Sequence, residues 1–241
     1  MLTKNTKIIL SIIILASVTA IYFYGRSFWV PVYQKITGKK TIAEVVLTYG
    51  PDARERLRPY FESSGVSYPP KKVILLGIKS TSQLEMWAEA ETGPVFVRSY
   101  TIRALSGVSG PKLRQGDRQV PEGLYKIEGL NPNSSYHLSM KLNYPNNFDL
   151  KYATEDGRSK PGTNIFIHGK AVSIGCLAMG DTVIEELFVL AADVGSTNIE
   201  VAIAPTDPRL MLLSTSIQPN WVSLLYKQLN IHFSKYKRNE N

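Results

Sequence analysis

Residues 164–181 read NIFIHGKAVSIGCLAMGD and contain the single cysteine of the 241-residue chain. The apolar run 164–168 predicts a short buried strand that ends at His168. A glycine-containing loop follows and leads to Cys176, and a helix is predicted shortly after the cysteine. An imidazole and a thiol therefore lie eight residues apart on one strand–loop–helix unit, and they are candidates for a common site.

This pairing has a specific chemical meaning. A cysteine thiol with a pKa of about 8.5 is only a few per cent ionised at neutral pH, so a nucleophilic cysteine needs a base or a cation beside it. His168 would supply the base, and a helix that begins just beyond Cys176 would favour the thiolate. Gly175 permits a tight turn whose N–H groups point at a developing oxyanion, and Ser173 is expected to brace the loop or bond to His168. The alternative interpretation is that the lone cysteine is a small buried apolar side chain.

The composition is that of a basic globular protein. Hydrophobic residues make up 44% of the chain, and 28 Lys and Arg against 20 Asp and Glu give a net charge of +8. A basic surface suits nucleic acid, an anionic lipid surface or cell-wall glycopeptide. No nucleic-acid motif accompanies the charge, so nucleic acid is not an expected partner. One cysteine and three histidines do not favour a structural zinc site, and no metal or cofactor is expected.

The N-terminal segment predicts the compartment. Lys4 and Lys7 precede an uninterrupted apolar run, Ile8–Tyr24, without charge or proline. At ~1.5 Å per residue this run nearly spans a hydrocarbon core of ~30 Å, and the two lysines orient the N-terminus towards the cytoplasm. An uncleaved inner-membrane anchor is favoured over a signal peptide cut after Val18-Thr19-Ala20. In either case the rest of the chain is exported, which predicts a protein of the periplasm or cell envelope.

The fold class predicted for the remaining chain is mostly β (α+β), with helices at both ends. Two short helices, interrupted at Gly50-Pro51, are expected to act as a spacer next to the membrane. Thr182 and Glu185 predict a capping box at the start of the helix that follows the cysteine. The segments are 1–25, signal anchor or signal peptide; 26–70, juxtamembrane connector and helical preface; 71–205, β-rich domain; and 206–241, amphipathic tail. Strands are predicted at 73–78, 84–88, 95–100, 123–127, 137–142, 164–168 and 198–203, and a tail helix at 219–233.

Three motifs give a family resemblance. His168-Gly169 followed by Ser173-x-Gly175-Cys176 resembles the active-site signature of the L,D-transpeptidase (YkuD-type) family. Residues 110–125, GPKLRQGDRQVPEGLY, are similar to that family's Gly-rich turn and Pro-x-Gly-aromatic strand. Residues 131–138, NPNSSYHL, and 144–146, YPN, resemble the YafK-like branch of murein L,D-transpeptidases. The resemblance covers about residues 70–205.

The resemblance implies a β-rich L,D-transpeptidase catalytic domain that acts on peptidoglycan stem peptides. In such a domain Cys176 attacks the carbonyl beside a diaminopimelate residue, His168 is the general base, and Gly175, Ser173 and Gly169 support the loop and the oxyanion hole. The acyl group then passes to another diaminopimelate amine, to a lysine of a wall-linked lipoprotein, or to water. Transfer to water would make the chain an amidase or peptidase, and a third alternative is a non-catalytic peptidoglycan-binding protein.

The sequence departs from the family pattern at two positions and leaves secondary candidates open. Many members carry His and Arg where this chain has Ile174 and Ala178, which leaves the substrate and the acceptor undetermined. The candidates for substrate binding are His137, Tyr136, Arg114 and Lys141, because basic side chains can hold substrate carboxylates. For each of them, an ordinary packed or solvated side chain is the alternative.

Overall fold

The computed structural model describes residues 3–214 and 219–238, which form two compact units, 1–40 and 41–241. Residues 1–2 of the predicted N-terminal segment lie outside the described residues. So do residues 215–218 and 239–241 of the predicted tail. Within the described residues the chain has six α-helices and eight strands. The α+β class is confirmed.

The first unit consists of two helices. Helix α1 spans Lys4–Tyr24, and the Thr3 side chain caps it by accepting a hydrogen bond from the Thr6 N–H. The 21 residues of α1 are long and apolar enough to cross a membrane. Helix α2 spans Arg26–Thr37, so most of the predicted connector is helical. The apolar helix fits either a signal sequence or a membrane anchor.

The second unit is built on one mixed sheet. Its strand order is β3-β2-β1-β8-β4-β5-β6-β7. The pairs β1–β8 and β6–β7 are parallel, and the other neighbours are antiparallel. The strands are β1 Val73–Ile78, β2 Gln83–Ala90, β3 Gly93–Thr101, β4 Gly123–Ser134, β5 His137–Leu142, β6 Phe166–His168, β7 Leu177–Ala178 and β8 Ile199–Ala204.

Helices cover both faces of the centre of this sheet. Helix α3, Ile42–Ser64, and helix α5, Asp181–Val194, share one apolar core with alternate residues of β1 such as Val73 and Leu75. Helix α6, Asn220–Phe233, packs on the opposite face against the intervening residues of β1. Burial on both faces explains why β1 is an unbroken apolar run rather than an alternating one.

Helix α3 corrects the prediction of two short helices and a spacer. Residues 42–64 form one continuous helix that contains both Pro51 and Pro59. An internal proline costs about 3 kcal/mol, and packing against α5 offsets that cost: Arg54 pairs with Asp193 at 2.7 Å, and Arg56 pairs with buried Glu186 at 2.9 Å. Because α3 contributes to the main core of the second unit, the spacer prediction was wrong.

The start of α5 also differs from the prediction. The helix begins at Asp181 with Gly180 as N-cap, and no side chain of the predicted capping box caps it. Glu185 instead bonds to Arg56 and His137. Three of these helices and strands were not predicted: α2, β7, and helix α4, Asn147–Glu155.

Candidate active site

The strand register places the two central side chains on one face of the sheet. His168 lies beside Ala178 across the β6–β7 pair, and Phe166 is therefore the neighbour of Cys176. On the other side of β6, Phe166 pairs with Lys141. Because residues two apart on a strand share a face, His168 and Cys176 lie on the same face of the sheet. His168 is opposite Ala178, two residues beyond Cys176, so a strand spacing of ~4.8 Å and a rise of ~3.3 Å per residue put their Cα atoms ~8 Å apart.

Ser173 closes the turn that presents the cysteine. Its hydroxyl donates to the carbonyl of Cys176 at 2.7 Å and accepts from the N–H of Cys176 at 3.0 Å and of Gly175 at 3.3 Å. Ser173 was expected to brace the loop or to bond to His168, and in the structure it braces the loop. Gly175 has φ +123°, a conformation that favours glycine. The two N–H groups expected to face an oxyanion are thus directed at the serine oxygen.

The thiol is half-buried and neutral. Its sulfur lies 3.9 Å from the carbonyl oxygen of Asn164, a long contact that is easily exchanged. Burial raises the pKa of the Cys176 thiol, while a backbone hydrogen bond from Phe166 and the charge of Lys112 oppose the rise. The structure therefore does not hold a preformed thiolate.

The histidine is buried, with 4% of its surface exposed. Its Nδ1 lies 2.6 Å from the carbonyl oxygen of Gly169. A carbonyl only accepts hydrogen bonds, so Nδ1 carries the proton of the neutral ring and Nε2 keeps a lone pair. Burial lowers the pKa of His168, against the opposing effect of the Gly169 carbonyl. A neutral imidazole with a free Nε2 lone pair has the form that a general base requires.

Gly169 is required by close packing rather than by backbone strain. A Cβ at this position would lie 2.6 Å from the Tyr136 carbonyl and 2.8 Å from an Asp181 carboxylate oxygen. That carboxylate accepts the N–H of Lys170 at 2.9 Å and pairs with its ammonium group. The start of α5 thus fixes the loop after His168. Helix α5 begins five residues beyond Cys176, and its effect on the thiolate stays a prediction.

A loop that the sequence did not mark as part of the site lies over the cysteine turn. The Gln119 carbonyl lies 3.4 Å from the position of a Cβ on Gly175. The loop is held from below by buried Lys79, whose ammonium bonds to the Val108 carbonyl at 2.7 Å and to Glu122 at 2.8 Å. The available signal was the presence of Gln119 and Glu122, two polar residues in an otherwise buried stretch of the second motif.

The secondary candidates fall into different environments. The Tyr136 ring lies 4.9 Å from the ring of His168, and so covers the candidate base. His137 is packed: its Nε2 lies 2.9 Å from Glu185, and Tyr49 contacts its ring at 5.3 Å. Arg114 is exposed. Lys141 is in register with Phe166 and pairs with Glu128 at 2.9 Å.

Among residues 3–214 and 219–238, no group of three or more His, Cys, Asp or Glu side chains could hold a metal ion. The chemistry that the site offers is that of a neutral thiol and a neutral base.

Two curated proteins are similar in sequence to this chain. YafK of Escherichia coli strain K12 and YafK of strain O157:H7, which are named as L,D-transpeptidases, are each 33% identical over 132 residues. The match covers 53% of this chain and 51% of each relative, so the chain spans about half the length of the curated relatives it matches.

Solved structures resemble the chain more distantly. The helical cell shape determining protein Pgp2 of Campylobacter jejuni is 17% identical, with a TM-score of 0.46 over 70% of this chain and 71% of that chain. L,D-transpeptidase 1 of Mycobacterium tuberculosis is 12% identical, with a TM-score of 0.32 over 55% of this chain and 62% of that chain.

The family profile covers the site. The profile of the YkuD family, the L,D-transpeptidase catalytic domain, matches residues 80–201, more than half of the 241 residues. The matched range includes His168, Cys176 and the loop between them. The chain therefore belongs to the L,D-transpeptidase catalytic domain family.

Proposed function

We propose that the chain is a peptidoglycan-modifying cysteine acyltransferase in which Cys176 is the nucleophile and His168 the general base. One observation carries the proposal: the only cysteine lies one strand away from a buried histidine, on the same face of the sheet. The Gly169 carbonyl fixes the proton of that histidine on Nδ1 and leaves Nε2 to accept one. A cysteine that served only as packing would not need a base held in this tautomer.

The first half of the reaction forms a thioester. The Cys176 thiol leaves its weak contact with the Asn164 carbonyl and passes its proton to Nε2 of His168. The sulfur attacks the carbonyl carbon of a stem peptide, beside diaminopimelate, and gives a tetrahedral intermediate. The imidazolium of His168 then returns the proton to the leaving amine, and the C–N bond breaks.

The oxyanion of the intermediate needs hydrogen-bond donors. The N–H groups of Gly175 and Cys176 now bond to the Ser173 hydroxyl. In the proposed mechanism the oxyanion takes over the N–H of Cys176, while the hydroxyl keeps its bond to the Cys176 carbonyl. One oxyanion donor typically contributes about 3–4 kcal/mol to the lowering of the barrier.

The second half of the reaction resolves the thioester. An acceptor amine attacks the thioester carbonyl, His168 removes its proton, and Cys176 leaves as the thiol. The acceptor is a second diaminopimelate amine or a lysine of a wall-linked lipoprotein, and with water as acceptor the same steps make the chain an amidase or peptidase.

The N-terminal helix supports a location in the cell envelope. Helix α1 is long and apolar enough to anchor the chain in the inner membrane or to act as an export signal. We place the second unit in the periplasm, where stem peptides are accessible. The intact mass of the protein purified from membranes tests this: a chain that begins at Ile21 would show that α1 is only a signal.

Incubation with purified muropeptides, followed by mass spectrometry, tests the function. We expect a covalent adduct on Cys176 whose mass equals the stem acyl group, then cross-linked or hydrolysed products. Cys176→Ala should give neither, with a melting temperature close to that of the unaltered chain because the side chain is small. Turnover that persists in Cys176→Ala would refute the nucleophile assignment. Binding of muropeptides without an adduct or product would favour the non-catalytic alternative.

A further inference from the structure

A polar groove lies beside the cysteine and has no part in the chemistry described so far. Its volume is about 590 Å³. It is bordered by β4, β5, the segment that leads into α4, and the loop before β6. Its lining includes Glu128, Lys141, Asn143, Tyr144, Phe148 and Thr163.

Two independent observations place this groove next to the thiol. Thr163 lines the groove, and the next residue, Asn164, provides the carbonyl that the Cys176 sulfur contacts. In addition, Lys141 pairs with Phe166, and the next residue of β6, Ile167, pairs with Leu177, which directly follows Cys176. Lys141 and Cys176 therefore share one face, two strand spacings or ~10 Å apart between their Cα atoms.

The charges in the groove form one adjacent pair of opposite sign. Among the described residues that line it, Lys141 and Glu128 are the charged ones, and they lie 2.9 Å apart. Both remain partly exposed, with 36% of the Lys141 side chain and 54% of the Glu128 side chain accessible. An ammonium has three donors and a carboxylate several lone pairs, so each can bind a ligand group while keeping its partner.

From this geometry we infer that the groove binds an amino acid head group at the end of the donor's side chain, with one ammonium and one carboxylate on the same carbon. Lys141 holds the carboxylate and Glu128 the ammonium. The inference rests on the proposed function, because it gives the groove to the same donor peptide. In a diaminopimelate donor, five bonds separate the reacting carbonyl carbon from the carbon that carries the head group. Fully extended, these span about 6 Å, and the side chains of Cys176 and Lys141 extend over the same face from Cα atoms ~10 Å apart.

Binding to the Cys176→Ala variant tests the groove without any chemistry. Calorimetry would compare three stem peptides that differ only in the third residue: diaminopimelate, its distal carboxamide, and lysine. Lys141→Met should weaken binding of the diaminopimelate peptide about tenfold, the loss of one hydrogen bond to a charged group. It should leave the lysine peptide unchanged, because that peptide has no distal carboxylate. Glu128→Gln should weaken all three peptides, because each keeps the ammonium.

Matched variants separate this role from general effects. Lys151→Met removes a lysine that is also paired with a glutamate, Glu155, but lies outside the groove; it should bind all three peptides normally. Lys141→Arg should retain the preference for the free carboxylate. Equal losses for all three peptides in Lys141→Met, or no loss for any, would overturn the inference.

The outcome also distinguishes the groove from the proposed function. If the unaltered chain forms thioesters equally well with all three peptides, the acyltransferase proposal stands and the groove assignment fails. If Lys141 controls binding of the free carboxylate but no thioester ever forms on Cys176, the groove assignment stands and the acyltransferase proposal fails.

Discussion

Alkylation of Cys176 by iodoacetamide, measured as a function of pH, reports the resting ionisation of the site. Burial raises the pKa of the Cys176 thiol, and the Phe166 hydrogen bond and the Lys112 charge only partly oppose the rise. A thiol with a pKa of 8.5 or higher is at most ~3% ionised at pH 7. We expect the alkylation rate to rise about tenfold per pH unit between pH 6 and 8 and to level off only above the thiol pKa.

The variant His168→Gln separates ionisation at rest from proton transfer during turnover. Because burial lowers the pKa of His168, the imidazole is neutral at pH 7 and adds no positive charge that would stabilise a thiolate. His168→Gln should therefore change the alkylation rate less than about threefold, while turnover falls about 100-fold or more through loss of the base. The lowered pKa of His168 also makes the stability of the fold depend on pH. The unfolded chain takes up the proton first, so stability falls as the pH drops below about 6.5, and less so in the variant.

Two results would refute this reasoning. An alkylation rate that is already maximal at pH 6 and flat up to pH 9 would mean that the resting site is a thiolate–imidazolium pair. Alkylation that falls in parallel with turnover in His168→Gln would mean the same. The control is the unfolded chain in guanidinium: it exposes the same single cysteine, so its profile gives the thiol pKa without the fold.

Four further changes test how the site is held. Ser173→Ala removes the brace of the cysteine turn and should cost about 1–2 kcal/mol in thermal unfolding, with a larger loss of turnover; unchanged values would exclude the brace. Lys79→Met leaves buried Glu122 without its cation and should cost about 3–5 kcal/mol in denaturant unfolding, whereas the double variant with Glu122→Gln should recover much of the loss. Burial raises the pKa of Asp149 from 3.8 to about 6, so stability should fall by about 2 kcal/mol as the pH rises from 4 to 7; Asp149→Asn should show a flat melting temperature there. A chain that begins at Thr41 should fold and stay soluble without detergent, whereas one that also lacks α3 should aggregate, as light scattering would show.

Local patterns in the sequence were sufficient for the elements that are long or strongly bounded. Strands β1 and β5 have the predicted bounds, because β1 is an apolar run and β5 alternates polar and apolar residues, as strands do. Strand β7 has two residues, too few for any period to appear. Helix α4 does begin with a capping box, in which Asn146 and Asp149 bond reciprocally, but an aspartate at the third helical position is a weaker sequence signal than Glu or Gln.

The features that the sequence did not predict depend on partners far away in the chain. Gly50-Pro51 favours a break locally, yet α3 continues because Arg54 and Arg56 bond to residues more than 125 positions later. The buried Lys79–Glu122 pair likewise joins the end of β1 to a loop 43 residues away. The family motifs indicated a segment that contains His168 and Cys176, but they did not indicate that the two amides beside the cysteine bond to Ser173 at rest.

The connection between β6 and β7 explains why the loop between His168 and Cys176 has the residues it has. Parallel neighbours usually need a crossover of a dozen residues or more, and here residues 169–176 make the connection. So short a path has to reverse direction within the loop, which is why Lys170 and Gly175 both have positive φ values, +60° and +123°. Strand β7 has two residues, and on its far side Ala104 forms one antiparallel bridge to Ala178. The cysteine therefore lies directly before β7 and on the same face of the sheet as the histidine, because the connection is too short to place it elsewhere.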